Sequence, residues 1–329
     1  MITRILVVAF SLAVAPLCLA GEIHAAAELS VSDLEELDRS NTVVILPGGL
    51  FEEHGPYLPT FTDGYLNQTV SAKLASQLAE NGHDILMFPI IPIGSGSPED
   101  FGGLPLFSGS YTVRPDTLRS LFMDLGAALG DDGFRHIFII HYHGSPGHNR
   151  ALLEASEYFN DHYEGEMVPL SVLLYAAEGS SNQVFDATEL AENGLPIHAG
   201  AHETSRTMFI RPDLVSDDYV EAPAVPAHRA EELSEIARSA GWQGYFGSPR
   251  LATAGKGEEL VASRVAAVVE LATKVLDGFD WRQLPNRADI AGLPRAFVDL
   301  DETNLARAKR EEARQQRWLD QQSQSFNSK

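Results

Sequence analysis

Four short apolar runs, separated by stretches of helical length and pattern, restrict this chain more than any other feature. NTVVILPGG, DILMFPIIPI, HIFIIHYHG and VPLSVLLYAAEG each read as a strand bounded by turn or polar residues. VSDLEELDRS precedes the first as a short helix. DGYLNQTVSAKLASQLAENG, RPDTLRSLFMDLGAALGDDG and HNRALLEASEYFNDHY read as helices, the first two with glycine stops. Strand alternating with helix predicts an α/β fold: a single domain with a mostly parallel central sheet flanked by helices on both faces. In such sheets ligand chemistry gathers just beyond the strands' C-terminal ends.

The two ends of the chain fall outside that alternation. Residues 1–20 place Arg4 before the apolar run Ile5–Ala15 and close on small residues, the order of a secretory signal peptide cleaved near Ala20. The run is short for about 30 Å of hydrocarbon. A periplasmic or secreted protein, with no membrane association after cleavage, is therefore expected. The domain proper is expected over residues 21–300, and residues 301–329 form a charged helical tail with few apolar anchors.

Export leaves a chain without cysteine, because Cys18 is the only one, so any metal must be held by oxygen and imidazole nitrogen. The formal net charge is −22, and −23 once Arg4 leaves with the signal. Such a surface repels nucleic acid and anionic lipid, which excludes both as expected partners.

Three polar segments follow or interrupt the strands. LFEEHGPYLPTFTD offers Glu52, His54 and Asp63 on a loop stiffened by Pro56 and Pro59. HYHGSPGHN carries His141, His143 and His148, of which 141 and 143 point the same way on an extended chain, so one or both could reach a shared site. IHAGAHETS carries His198, His202 and Glu203. Six of the 11 histidines fall in these three segments, beside Glu52, Asp63 and Glu203. Mixed imidazole and carboxylate donors suit zinc or manganese, with iron or nickel compatible. Two cations held close together repel, and a bridging carboxylate on a rigid loop offsets that repulsion.

In GGLFEEHGPYLPTFTD, HYHGSPGHN, HAGAHETS and GYFGSPRLATAGKGEEL, in that order, the chain resembles the creatininase family of metal hydrolases. The resemblance implies a binuclear centre of two divalent ions, with Glu52 and His143 on one, His54 on the other, Asp63 bridging and Glu203 as a further ligand. It also implies that His198 is the catalytic proton shuttle and that Glu53 supports the site or faces solvent. Assembly into homo-oligomers is the family's habit. Two departures accompany it. Ser145 stands where creatininase itself has a ligand acid, and Glu99 and Asp100 stand where many relatives place a histidine, which implies another substrate.

The implied activity is hydrolysis of a C–N amide bond in a small substrate, cyclic ones included, by hydroxide shared between the ions, since bound cations lower the pKa of water from about 15.7 towards ~7. A lactone or formyl amide is the alternative substrate. A non-catalytic exported metal-binding or scaffold protein is the alternative of another class.

Overall fold

In the computed structural model, residues 20–103, 107–175, 184–284 and 295–327 are described. The expected signal segment lies outside them apart from Ala20. Five strands, β1 (Ile23–Ala25), β2 (Val43–Pro47), β3 (Ile85–Met87), β4 (His136–Ile140) and β5 (Glu166–Val168), form one sheet in the order β1-β3-β2-β4-β5. Every pairing is parallel; three short helices, α1 (Val31–Glu36), α6 (Ala187–Asn193) and α8 (Glu232–Arg238), accompany the longer ones around it. That is the α/β architecture the alternation predicts.

β2 occupies the middle because all five of its residues are apolar and buried. Successive side chains leave by opposite faces. Val43 and Ile45 join Leu74 and Leu78 of α2 (Thr62–Glu80) and Val268 and Leu271 of α9 (Ala254–Leu276) in one core layer. Val44 and Leu46 join Leu118 and Phe122 of α3 (Pro115–Asp131) and Leu152 and Phe159 of α4 (Pro146–His162) in the other. Helices on both faces leave the sheet no wet side, which is why its strands are not polar on alternate residues. The chain leaves β2 for β3 on one side and later crosses to β4 on the other. The crevice between the ends of β2 and β4 is thus the topological switch point, the usual ligand position of open parallel sheets.

Three elements differ from the sequence reading. β1, the edge strand, lies in a stretch rich in small residues that carries no strand pattern; it exists through its register Ile23↔Ile85 with β3. β3 stops at Met87, because Pro89 and Pro92 remove ladder donors, although Ile91 N still donates to Pro47 O at 2.9 Å. The run VPLSVLLYAAEG is not a single strand. β5 ends at Val168, Pro169 interrupts the ladder, and Leu170–Tyr175 turns into a short helix, α5, while residues 176–179 lie outside the described set. A short apolar run is ambiguous between buried strand and buried helix by periodicity alone.

The glycine turn after β2 brings two functional loops within contact. A Cβ on Gly48 would stand 2.1 Å from Cγ of the His141 ring, so the loop after β4 can lie against the loop after β2 only with no side chain there. Gly48→Ala should lower the unfolding free energy by about 1–3 kcal/mol, or prevent folding. Urea denaturation measures it, and an unchanged midpoint would mean the two loops do not touch.

Candidate metal centre

The loop after β2 delivers Glu52 and His54, and the first turn of α2 delivers Asp63. The loop after β4 adds His143. Glu203 comes from α7 (Ala201–Ile210), and His198 from the segment just before it. Glu52, His54, Asp63 and His143 are at most 5% exposed.

Their heads fall into two adjoining groups. His143 Nδ1 lies 3.1 Å from Asp63 Oδ2 and 3.3 Å from Glu52 Oε2. His54 Nε2 lies 3.7 Å from Asp63 Oδ1 and 3.7 Å from Glu203 Oε2, and it has no hydrogen-bond partner although buried. Within each group one ligand atom per residue falls within 4.8 Å of the others, as also holds for Glu52, His54 and His198. A buried imidazole nitrogen aimed between two carboxylate oxygens without bonding to either is a poor hydrogen-bonding arrangement and a good cation site. The donor set of imidazole and carboxylate fits a borderline divalent metal.

Electrostatics in the ion-free protein point the same way. Burial pulls the His54 imidazole down, but the Asp63, Glu203 and Glu52 carboxylates outweigh it and push it up to about 10. His143 likewise loses to burial and gains more from Glu52 and Asp63, reaching about 10. Burial would raise Asp63, yet the two imidazoles hold it well below the usual carboxylate range. Burial pushes Glu52 and Glu203 up, each opposed by its imidazole neighbour. Two imidazolium charges thus stand where divalent cations would otherwise balance the acids.

His198 behaves differently. Burial and the charge on His54 keep it neutral, well below the usual imidazole value. Its Nε2 is 2.6 Å from the Glu53 carbonyl oxygen. A carbonyl only accepts, so Nε2 carries the proton and Nδ1 keeps the lone pair. Ala199, next to it, is the one non-glycine residue at positive φ (51°) among the described residues. Its N–H donates to Glu203 Oε2 at 2.6 Å, so a strained backbone sets the spacing between His198 and Glu203.

The remaining candidates are placed elsewhere. His141 does not join the group: β4 ends at Ile140, strand alternation lapses, and the ring turns back to Gly49 O at 3.1 Å. His148 packs against it, ring centres 4.3 Å apart, and accepts from Ser95 N at 3.2 Å. The His202 ring lies tilted against Phe185, ring centres 4.4 Å apart. Glu53 is 3% exposed; its Oε2 accepts from Gly55 N at 2.9 Å, and burial lifts its carboxyl to about 8. Glu99 caps its own loop, accepting from Phe107 N at 2.6 Å. Asp100 pairs with Arg307, and both acids lie apart from the metal-ligand groups.

A cavity of about 430 Å³ opens onto Glu52, Asp63, His143, His198 and Glu203. Its far wall includes Phe297, Leu300 and Asn304 of α10 (Arg295–Asn327), which the sequence reading assigned to no site. The signal was present in RAFVDLDETN: Phe297, Leu300 and Asn304 recur at three- and four-residue intervals on one helix face.

Residues 27–272 match the creatininase family, described as creatinine amidohydrolase. The chain belongs to the creatininase family. As a member it is a metal-dependent amidohydrolase. The mycofactocin precursor peptide peptidase of Mycolicibacterium smegmatis is 28% identical over 247 residues, covering 72% of this chain and 87% of that relative. Among solved structures, a creatininase in its Mn form superposes with a TM-score of 0.58 at 19% identity, over 78% of this chain and 98% of that one. A creatininase mutant of Zn-Zn type gives 0.58 at 18%, over 77% and 98%. Those likenesses carry the fold. Among the described residues no helix is long and apolar enough to cross a membrane.

Because His54 and His143 hold protons up to about 10 in the ion-free protein, loading with zinc at pH 8 must displace them. Calorimetric titration in buffers of different ionisation enthalpy should report release of about two protons per chain, and affinity should rise with pH towards ~10. Binding heats independent of the buffer would sink the charge assignment.

Proposed function

We propose that the protein is an exported amidohydrolase that uses two divalent ions to cleave a C–N amide bond in a small molecule or short peptide. Asp63 carries the reading. Its Oδ2 faces His143 Nδ1, which also meets Glu52, while its Oδ1 faces His54 Nε2, which also meets Glu203, so one carboxylate serves both groups. Glu52, His143 and Asp63 would hold one ion; His54, Glu203 and Asp63 the other. The names of the Mn and Zn-Zn creatininase structures support zinc or manganese. Cations bound there would acidify a water and polarise the substrate carbonyl.

The chain's own groups do the rest. His198, fixed by its Nε2–H on the Glu53 carbonyl, has Nδ1 free to take a proton from the attacking water. The same nitrogen then returns it to the departing amine as the C–N bond breaks, giving one carboxylic acid and one amine for each water consumed. Buried surroundings favour neutral His198 before and after the cycle, which suits a shuttle that must not retain its proton. The peptidase name of the mycobacterial relatives supports peptides within the substrate range. A cavity reaching five of the proposed site residues supports turnover over a closed, purely structural metal site.

Asp63→Ala tests the centre. Elemental analysis of the wild type should find two zinc or manganese ions per chain, falling to one or none in the variant, and hydrolysis across cyclic amides, formamides, lactones and short peptides should fall to background. Two retained ions with full turnover would overturn the bridging role. Hydrolysis confined to lactones would overturn the amide reading.

Export rests on Arg4 and the apolar run Ile5–Ala15. Intact mass of protein recovered from the periplasm or medium should correspond to a chain beginning near Gly21. A full-length mass there would remove the cleavage assignment.

A further inference from the structure

The family match ends at residue 272, whereas the cavity in front of the metal-ligand groups is closed in part by α10, which begins at Arg295. That helix is tied down at three places along its length. Asp301, 3% exposed, receives Arg150 Nη2 of α4 at 3.0 Å. Arg307 pairs with Asp100, 6% exposed, on the loop before α3. Farther along, Arg114 Nη2 donates to Gln315 Oε1 at 3.1 Å.

The anchored face has a definite chemistry. Phe297 packs edge-on to Phe101 with ring centres 5.8 Å apart, and Leu300 is 8% exposed in the same apolar cluster. Leu195 and Ile197 line the cavity with them. Asn304 adds one polar group. Its Oδ1 accepts from Arg307 Nη2 at 3.1 Å, which fixes the amide orientation and turns its NH₂ into the available donor on the cavity wall. At about 430 Å³ the space falls within the roughly 300–1,000 Å³ of sites that enclose drug-sized ligands.

We propose that α10 is a specificity wall, selecting amides that carry an apolar side chain of leucine or phenylalanine size beside the scissile bond, as a short apolar peptide does. Asn304 donates to a carbonyl one unit away from that bond. The proposal rests on the two-ion reading of the adjoining centre, and it gives Asp100 a role: the acid at this position holds the wall through Arg307 rather than meeting the ions.

Hydroxamates separate the wall from turnover, because their head chelates a metal whatever the side chain. Calorimetry on the full-length, zinc-loaded protein should find 3-phenylpropanoyl hydroxamate bound at least about tenfold more tightly than acetohydroxamate, the return from burying one such side chain. Leu300→Trp should fill the space and abolish the preference with zinc content unchanged. Phe297→Ala should shift the preference towards a naphthyl side chain, so a folding defect in one variant leaves the other decisive. Equal affinity for the two hydroxamates in the wild type, or a preference untouched by both substitutions, overturns the wall. A wild type that retains no zinc overturns the metal reading, and with it this one.

Discussion

Burying several carboxylates side by side is the constraint on which the rest of this structure turns. Two unit charges 4 Å apart repel by about 4 kcal/mol at an effective dielectric near 20, and desolvation adds to the cost. Glu52, Asp63 and Glu203 are brought together regardless. In the ion-free protein His54 and His143 answer that charge by holding protons far above the usual imidazole range. Monovalent imidazolium is a weak substitute, because it uses as a donor the same nitrogen that a metal would use as a ligand. The geometry records the difference: His54 Nε2 stands 3.7 Å from two oxygens, too far to bond either and well placed to share something between them.

Holding that arrangement against its own repulsion requires rigid supports on every side, and the parallel sheet supplies them. β2 and β4 are adjacent and end at the crevice, and the loops that follow them carry Glu52 and His143. Asp63 sits in the first turn of α2, and its helix is packed on the sheet by Leu66, Val70 and Leu74. α7 brings Glu203 in from outside the sheet, packed against α9 and reached through a backbone kink at Ala199. A left-handed non-glycine residue costs of order 1–2 kcal/mol, and its N–H on Glu203 is what that strain secures.

The layered fold was legible in the sequence because a sheet covered on both faces leaves continuous apolar runs, and such runs survive any choice of partners. The same indifference explains the misreading of VPLSVLLYAAEG, where burial is identical for strand and helix and only Pro169 distinguishes them. Edge strand β1 was illegible for the opposite reason: its existence depends on a neighbour 62 residues away, through Ile23↔Ile85. At the site, the heads of Glu52, His54, Asp63, His143, His198 and Glu203 lie in adjoining groups although their segments are far apart in the chain. His141 could not be separated from His143 by parity, since parity fails where the strand ends.

The two departures from the family pattern have different physical weight. Ser145 stands at the N-cap position of α4 without a capping bond from its side chain, on the cavity wall with His143, so the missing acid leaves one fewer negative charge near the Glu52 group. Asp100, by contrast, is consumed in holding Arg307, and Arg307 in orienting Asn304. One change thus alters the charge at the reacting centre, while the other recruits a helix from beyond the matched region to shape what approaches it. A buried acid such as Asp100 is stable only with its cation in place, so the wall and the loop beneath it stand or fall together. Substrate choice in this chain therefore draws on a helix that spans the end of the expected domain, with Phe297 and Leu300, and the start of the expected charged tail, with Asn304. Its functional face appears only where Phe297, Leu300 and Asn304 meet the cavity.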